Sequence, residues 1–328
     1  MTKTVLVTGG AGYVGSHCSK AFAQCGWKVV VFDNLSRGWR DAVRWGALIE
    51  GDLLSPEAIG KALDQVKPDL VAHFAAFAYV GESVCDPGLY YRNNCVGTLN
   101  LAQEMVRRGP RALLFSSTCA TYGNPVTLPI DEDHPQLAIN PYGRSKAICE
   151  QFIKDFCAAY SLRSVVLRYF NACGADPDGE IGELHIPETH AIPLAIEAAL
   201  DSVSRFQVLG ADFETRDGSA VRDYIHVLDL AAAHIAAGEY LLRTPGFHPF
   251  NLGTGAGTSV LELLHAVERV TGRPVAHDIG PRRPGDPPCL VATYSKARDV
   301  LGWEPRYSLT DFIIETALQW RSNSRWKT

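Results

Sequence analysis

Thr8-Gly9-Gly10-Ala11-Gly12-Tyr13-Val14-Gly15 follows an apolar run over residues 3 to 8 and leads into helix-like sequence through Gln24. The order is strand, tight glycine turn, helix. Glycines in such a turn let the backbone approach a pyrophosphate, and the first N–H groups of the helix present the positive end of its dipole to it. A second apolar run, Val29-Val30-Val31-Phe32, ends in Asp33, 18 residues after Gly15. A carboxylate there accepts from ribose hydroxyls, so strand, glycines, helix, strand and acid stand in the register of a dinucleotide-binding unit. Asp33 favours NAD over NADP, because a ribose 2′-phosphate would face its charge, although Arg37 lies close by.

The alternation continues with Ala47-Leu48-Ile49-Glu50-Gly51-Asp52, a helix over about 55 to 66, the strand Leu70-Val71-Ala72-His73-Phe74, a long helix over about 89 to 108 and the strand Ala112-Leu113-Leu114-Phe115. Strands alternating with helices imply right-handed crossovers, hence an α/β fold with a doubly wound parallel Rossmann sheet. Ligands of such sheets sit at the C-terminal strand ends. Four of those ends carry small or polar residues: Asp52-Leu53, which suits an adenine, Phe74-Ala75-Ala76, Ser116-Ser117-Thr118 and Phe170-Asn171. After about residue 175 the rhythm changes to loops, prolines and shorter elements. The expected division is residues 1–175 for the cofactor and a smaller α/β domain over 176–328 for the substrate, with about 221–242 returning to the first.

Composition sets the limits. A chain of 328 residues with 46% hydrophobic and 20% charged residues builds real cores, which excludes disordered and fibrous classes. A net charge of −5 argues against a nucleic-acid surface, so phosphate recognition has to come from a few placed cations. Nine scattered cysteines without a Cys-x-x-Cys pair fit reduced thiols in a cytoplasm. No signal-peptide layout, apolar run of membrane-spanning length or metal site is expected.

The chemistry is placed at Asn140-Pro141-Tyr142-Gly143-Arg144-Ser145-Lys146. Asn140 suits a helix cap and Pro141 a first turn, so Tyr142 and Lys146, four apart, share one face. Lowering a phenol pKa from about 10 to neutrality takes roughly 4 kcal/mol, and one cation at about 4 Å supplies up to that order at an effective dielectric near 20. Tyr142 is the candidate base and Lys146 its activator.

With those pieces in place the whole chain resembles the UDP-glucose (UDP-galactose) 4-epimerase family of extended short-chain dehydrogenases/reductases. The resemblance rests on Thr8 to His17, Asp33-Asn34-Leu35, Gly51-Asp52, His73 to Ala76, Val80 to Ser83, Asn93-Asn94, Gly97-Thr98, Ser116 to Gly123, Tyr142 to Lys146 and Arg168 to Asn171. Further on it rests on Arg216 to Gly218, Val221 to His226, Asn251 to Gly253 and Arg282 to Asp286. It implies a tightly held NAD, with Gly9, Gly12, Tyr13, Val14 and Gly15 at the pyrophosphate, Asp33 and Asn34 at the ribose, and Asp52 and Leu53 at the adenine. Phe74, Ala75, Ala76, Asn93 and Phe170 would run along the cofactor. It also implies that Tyr142 takes the proton of the sugar 4-hydroxyl, that Thr118 hydrogen-bonds the 4-oxygen, and that Lys146 bonds the nicotinamide ribose and holds the phenol pKa down. On the substrate side Asn171 would meet a diphosphate or sugar oxygen, Arg222 and Arg283 the diphosphate, Asp286 the uridine ribose and His190 the uracil loop. A homodimer is implied as well.

Departures from the family refine this. Thr118-Cys119-Ala120-Thr121 carries none of the carboxylates that follow this position in related dehydratases and decarboxylases, which favours plain epimerisation. Ala78 stands where some epimerases have a lysine near the cofactor, which bears on how tightly NAD is retained; Leu290 stands where a bulky tyrosine restricts the pocket in some relatives, so N-acetylhexosamines (UDP-GlcNAc, UDP-GalNAc) are admissible substrates. UDP-xylose and UDP-arabinose are a further alternative. A non-catalytic NAD or sugar-nucleotide-binding protein is the reading from another class, and it would be expected to lack the tyrosine or the lysine.

Overall fold

The computed structural model describes residues 2–201, 204–283 and 286–322. Pro284 and Gly285 of the Arg282–Asp286 motif lie outside the described residues. In chain order the elements are β1 Thr4–Thr8, α1 Tyr13–Gln24, β2 Lys28–Asp33, β3 Ala47–Glu50, α2 Pro56–Val66, β4 Leu70–His73, α3 Val80–Cys85, α4 Pro87–Tyr90, α5 Gly97–Arg108, β5 Ala112–Thr118, α6 Pro141–Tyr160 and β6 Arg163–Tyr169. There follow β7 Asn171–Cys173, α7 Ala191–Leu200, β8 Phe206–Leu209, β9 Val221–His226, α8 Val227–Leu241, β10 Phe247–Leu252, β11 Gly257–Ser259, α9 Val260–Thr271, β12 His277–Gly280, β13 Cys289–Leu290, α10 Ser295–Leu301 and α11 Thr310–Ser322.

Seven strands form one parallel sheet in the order β10-β6-β5-β4-β1-β2-β3. The central strands are apolar throughout because both faces are covered. Val5, Val7, Leu70 and Leu167 point to one face, toward Phe22 of α1 and Leu230 and Leu241 of α8. Leu6, Val71, Leu113 and Val166 point to the other, toward Ile59, Leu101 and Ile153 of α2, α5 and α6. Each fully buried branched side chain contributes about 1.5–3 kcal/mol. A second core joins α7, α9 and α11 to β8 through Ile196, Val208, Leu263, Val267 and Ile313. Between the two bodies, β9 pairs with β7, β11 and β13.

Two differences from the sequence reading bear on function. The helix expected over 89–108 is interrupted by a π-helical turn at Tyr91–Val96. Its cause is Asn94, which turns inward, accepts from Phe77 N at 2.9 Å and donates to Phe77 O at 3.0 Å and Ser145 Oγ at 3.1 Å. The wider turn thereby clasps the loop after β4 and leaves Asn93 facing the cleft. Phe247–Leu252, left unassigned in the sequence, completes the sheet as an edge strand, where Pro249 is tolerated.

Candidate active site

The strand ends frame a cleft of about 1120 Å³ between the two bodies, larger than the roughly 300–1,000 Å³ of most single-ligand sites. Every residue singled out from the sequence for cofactor or substrate borders it, except Lys146.

One wall is made of backbone. Gly12 caps α1, and Gly9 has φ +74, a left-handed conformation; a Cβ there would fall 2.5 Å from Ala75 N. A Cβ on Gly15 would fall 2.2 Å from Gly9 O, so the turn closes only without side chains. The resulting cradle, with free N–H groups at the start of a 12-residue helix, fits a pyrophosphate. Asp33 is held beside it by N–H donation from Ala11 at 3.0 Å and Leu35 at 2.8 Å. Burial still leaves its carboxyl above the ordinary value despite those two donors. Asn34 donates to Asp52 at 3.0 Å, linking the ends of β2 and β3. Arg37 does not reach toward Asp33: it donates to both Glu82 oxygens at 2.6 and 2.8 Å and stacks on Phe77 at 4.1 Å. Among the described residues, Arg37 therefore leaves the Asp33 carboxylate without a cation beside it. Phe74 and Ala75 are pinned by donating to Thr8 O, and Phe74 lies against His234 at 4.8 Å.

At the junction of the walls stand Thr118, ending β5, and Tyr142, in the first turn of α6. Asn140 accepts from Gly143 N at 2.8 Å and Pro141 occupies the first turn, as the capping pattern requires. Burial pushes the Tyr142 phenol up to about 12, only partly offset by the Thr118 hydroxyl beside it. Lys146 is buried one turn further, donates to Ser116 O at 2.8 Å and lies over the Phe115 ring at 4.8 Å; burial brings it down to about 8. It stays charged at neutral pH. The shared helix face is there, but the ammonium is committed to the Ser116 carbonyl.

The other wall is made of side chains. Asn171 opens β7, and Phe170 is packed beneath the cleft with Cys119 and Leu290. Asp286 lies between two cations: it pairs with Arg222, which is buried, and with Arg283, half-exposed, at 3.5 Å. His190 caps α7 and contacts Glu183 at 2.9 Å and Glu188 at 3.1 Å. Against its burial, those two carboxylates hold its imidazole well above the ordinary value. The sequence reading passed over Glu183, His185, Phe77 and Tyr79, all of which border the cleft. The alternation Glu183-x-His185-x-x-Glu188-x-His190 was the available signal for the first two.

The chain matches the NAD dependent epimerase/dehydratase family over residues 5–253. It is 55% identical to the UDP-glucose 4-epimerase of Rhizobium leguminosarum bv. trifolii over 322 residues, 98% of each chain. Among solved structures, the UDP-glucose 4-epimerase of Brucella ovis in complex with NAD is 50% identical, with a TM-score of 0.94 over 97% of this chain and 98% of that one. The Bifidobacterium longum enzyme in complex with NAD+ and UDP is 36% identical with the same TM-score, over 98% of this chain and 99% of that one. A glycine cradle, an acid at the end of β2 and a threonine–tyrosine pair in one cleft agree with this likeness over the full length, and the chain belongs to the NAD dependent epimerase/dehydratase family.

Proposed function

We propose that this protein is an isomerase that inverts C4 of a UDP-sugar, interconverting UDP-glucose and UDP-galactose with NAD as a catalytic cofactor. The observation that carries it is that Thr118 and Tyr142 line the same cleft, where the backbone wall meets the arginine wall. NAD, held by the Gly9–Gly15 cradle, Asp33 and the Phe74–Ala76 strand end, supplies a reversible hydride acceptor for C4. Tyr142 takes the proton of the 4-hydroxyl as the carbon is oxidised and gives it back as the carbon is reduced. Thr118 holds the 4-oxygen through both halves, and the buried charge of Lys146 favours the phenolate whenever Tyr142 ionises. Arg222 and Arg283 bind the diphosphate; guanidinium forks match phosphate oxygens, and Asp286 releases them to turn to the uridine ribose. Asn171 and His190 complete the diphosphate and uracil contacts. The 4-keto sugar must turn over within the cleft, and no carboxylate follows Thr118 to drive elimination instead.

The sheet body, residues 1–175, would serve NAD and the body over 176–328 the sugar nucleotide, with Val227–Leu241 and Phe247–Leu252 crossing back to the sheet. All nine cysteines are free thiols, which supports a cytoplasmic setting. Among the described residues no helix is long and apolar enough to cross a membrane. Exposed Val96, Ile148 and Tyr160, on or beside α5 and α6, support a homodimer through those helices. Leu290, in the cleft rather than a bulkier ring, favours UDP-N-acetylhexosamines as second substrates, and a relative that is 37% identical is a UDP-Glc/GlcNAc 4-epimerase from Campylobacter jejuni. Deuterium at C4 of UDP-glucose should reappear at C4 of UDP-galactose without exchange into water, read by mass and proton NMR; washout of the label, or no galactose product, would contradict the hydride cycle.

A further inference from the structure

Beside the glycine turn, at the mouth of the cleft, Glu183, His185, Glu188 and His190 each turn one donor atom to a common point, all within 4.8 Å of one another. Glu183 Oε1 lies 3.2 Å from His185 Nδ1 and 2.9 Å from His190 Nδ1, yet it makes no aligned hydrogen bond, and neither do His185 Nδ1 and Glu188 Oε2. The Glu183 side chain is only 7% exposed. Buried polar atoms left in this way cost about 1–3 kcal/mol each unless something satisfies them. His190 Nδ1 gives its own hydrogen bond to Glu188 Oε1 at 3.1 Å, and no lysine or arginine among the described residues satisfies the remaining atoms. Arg321 reaches Glu188 only at 3.8 Å and gives its hydrogen bond to Glu197. The contrast is the group Asp176, Asp178 and Glu180, where Lys20 Nζ sits 2.8, 2.8 and 2.9 Å from the three carboxylates.

We propose that Glu183, His185, Glu188 and His190 form a binding site for a divalent transition metal, with Zn2+ the best fit. Two imidazole nitrogens and two carboxylate oxygens are the borderline donor set that Zn2+ takes, whereas Mg2+ and Ca2+ ask for six or more oxygens. Metal–donor bonds of about 2.0–2.2 Å give a tetrahedron with edges of about 3.4 Å, close to the separations observed here. Two carboxylates balance the charge of the ion. The supporting shell is rigid: Trp320 donates to Glu183 O at 2.9 Å, Trp39 to Leu184 O at 3.1 Å, and the second Glu188 oxygen accepts from the N–H groups of Thr189 and His190 at 2.8 and 2.9 Å. A bound ion would tie the 183–190 loop to the N-terminus of α7.

The test uses the full chain stripped with chelator and titrated with Co2+ and Zn2+. One equivalent per chain is expected, with a visible Co2+ ligand-field band of four-coordinate intensity and a melting temperature raised by Zn2+. His185→Ala and Glu188→Gln should bind at least about a hundredfold more weakly, with little change in the metal-free melting temperature. Unchanged affinity in both variants overturns the proposal. If a variant does not fold, the wild type decides: absence of the Co2+ band at a one-to-one ratio overturns it equally, and its presence supports it.

Discussion

The two walls of the cleft are built by opposite means. On the cofactor side the groups are fixed by backbone: glycines closing on one another and Asp33 held by two N–H donors. On the sugar-nucleotide side the groups are held by side chains rather than backbone, as in Arg222–Asp286–Arg283 and the Glu183–His190 cluster, where several inner atoms lack an aligned hydrogen bond. Histidines follow their surroundings: His17, His73 and His234 in the sheet body and His226 on β9 are brought by burial down to about 4, 3, 4 and 3, whereas His190 is raised by its carboxylates. A backbone wall is preorganised and intolerant of added atoms; a side-chain wall exchanges partners when a charged ligand arrives, so single residues there act by degree.

The sharpest way to break this contrast is Gly15→Ala. A single added methyl meets Gly9 O, so the variant should lose the NAD that wild type releases on denaturation; full retention would show the turn to be pliable. Tyr142→Phe, at the junction, should lower kcat about 10²- to 10⁴-fold while UDP binding, read by calorimetry, changes less than about threefold. Wild-type turnover in that variant would remove Tyr142 as base. Arg222→Ala removes the buried partner of Asp286 and weakens diphosphate binding, and should raise KM by about 2–3 kcal/mol equivalent; Arg283→Ala, on a half-exposed side chain, should cost less than about 1 kcal/mol. Equal effects would mean that exposure does not set the hierarchy.

The smallest effect concerns acid. From pH 6.5 down to about 4, and to about 3 for His73, the unfolded chain takes up protons that His17, His73 and His234 refuse, so the contribution of these three to stability is lost as pH falls through that window and is constant above it. Each contributes at most about 1.4 kcal/mol per pH unit. His73, bonded to Thr8 at 2.6 Å and Thr98 at 2.8 Å, is the one to replace: His73→Gln should flatten the slope in urea melts by that amount, and an unchanged slope would place its titration elsewhere.

Legibility in the sequence follows the same divide. Apolar runs closed by glycine or an acid gave away the strand ends, because both faces of a parallel sheet are buried and leave little else that can follow. Asn140-Pro141 announced its helix. Asn94 did not announce a π turn, since that depends on Phe77 and Ser145, distant in sequence. Phe247–Leu252, interrupted by Pro249, looks like a loop until β6 is beside it. The commitment of Lys146 to a carbonyl and of Arg37 to Glu82 are tertiary choices that spacing does not record.

The last strand has a consequence for birth as well as function. β10 docks on β6 only after more than seventy intervening residues have left the ribosome, so the nascent sheet waits with an unpaired edge while the far body is being made. Severing the chain anywhere in that interval leaves neither fragment with a finished fold.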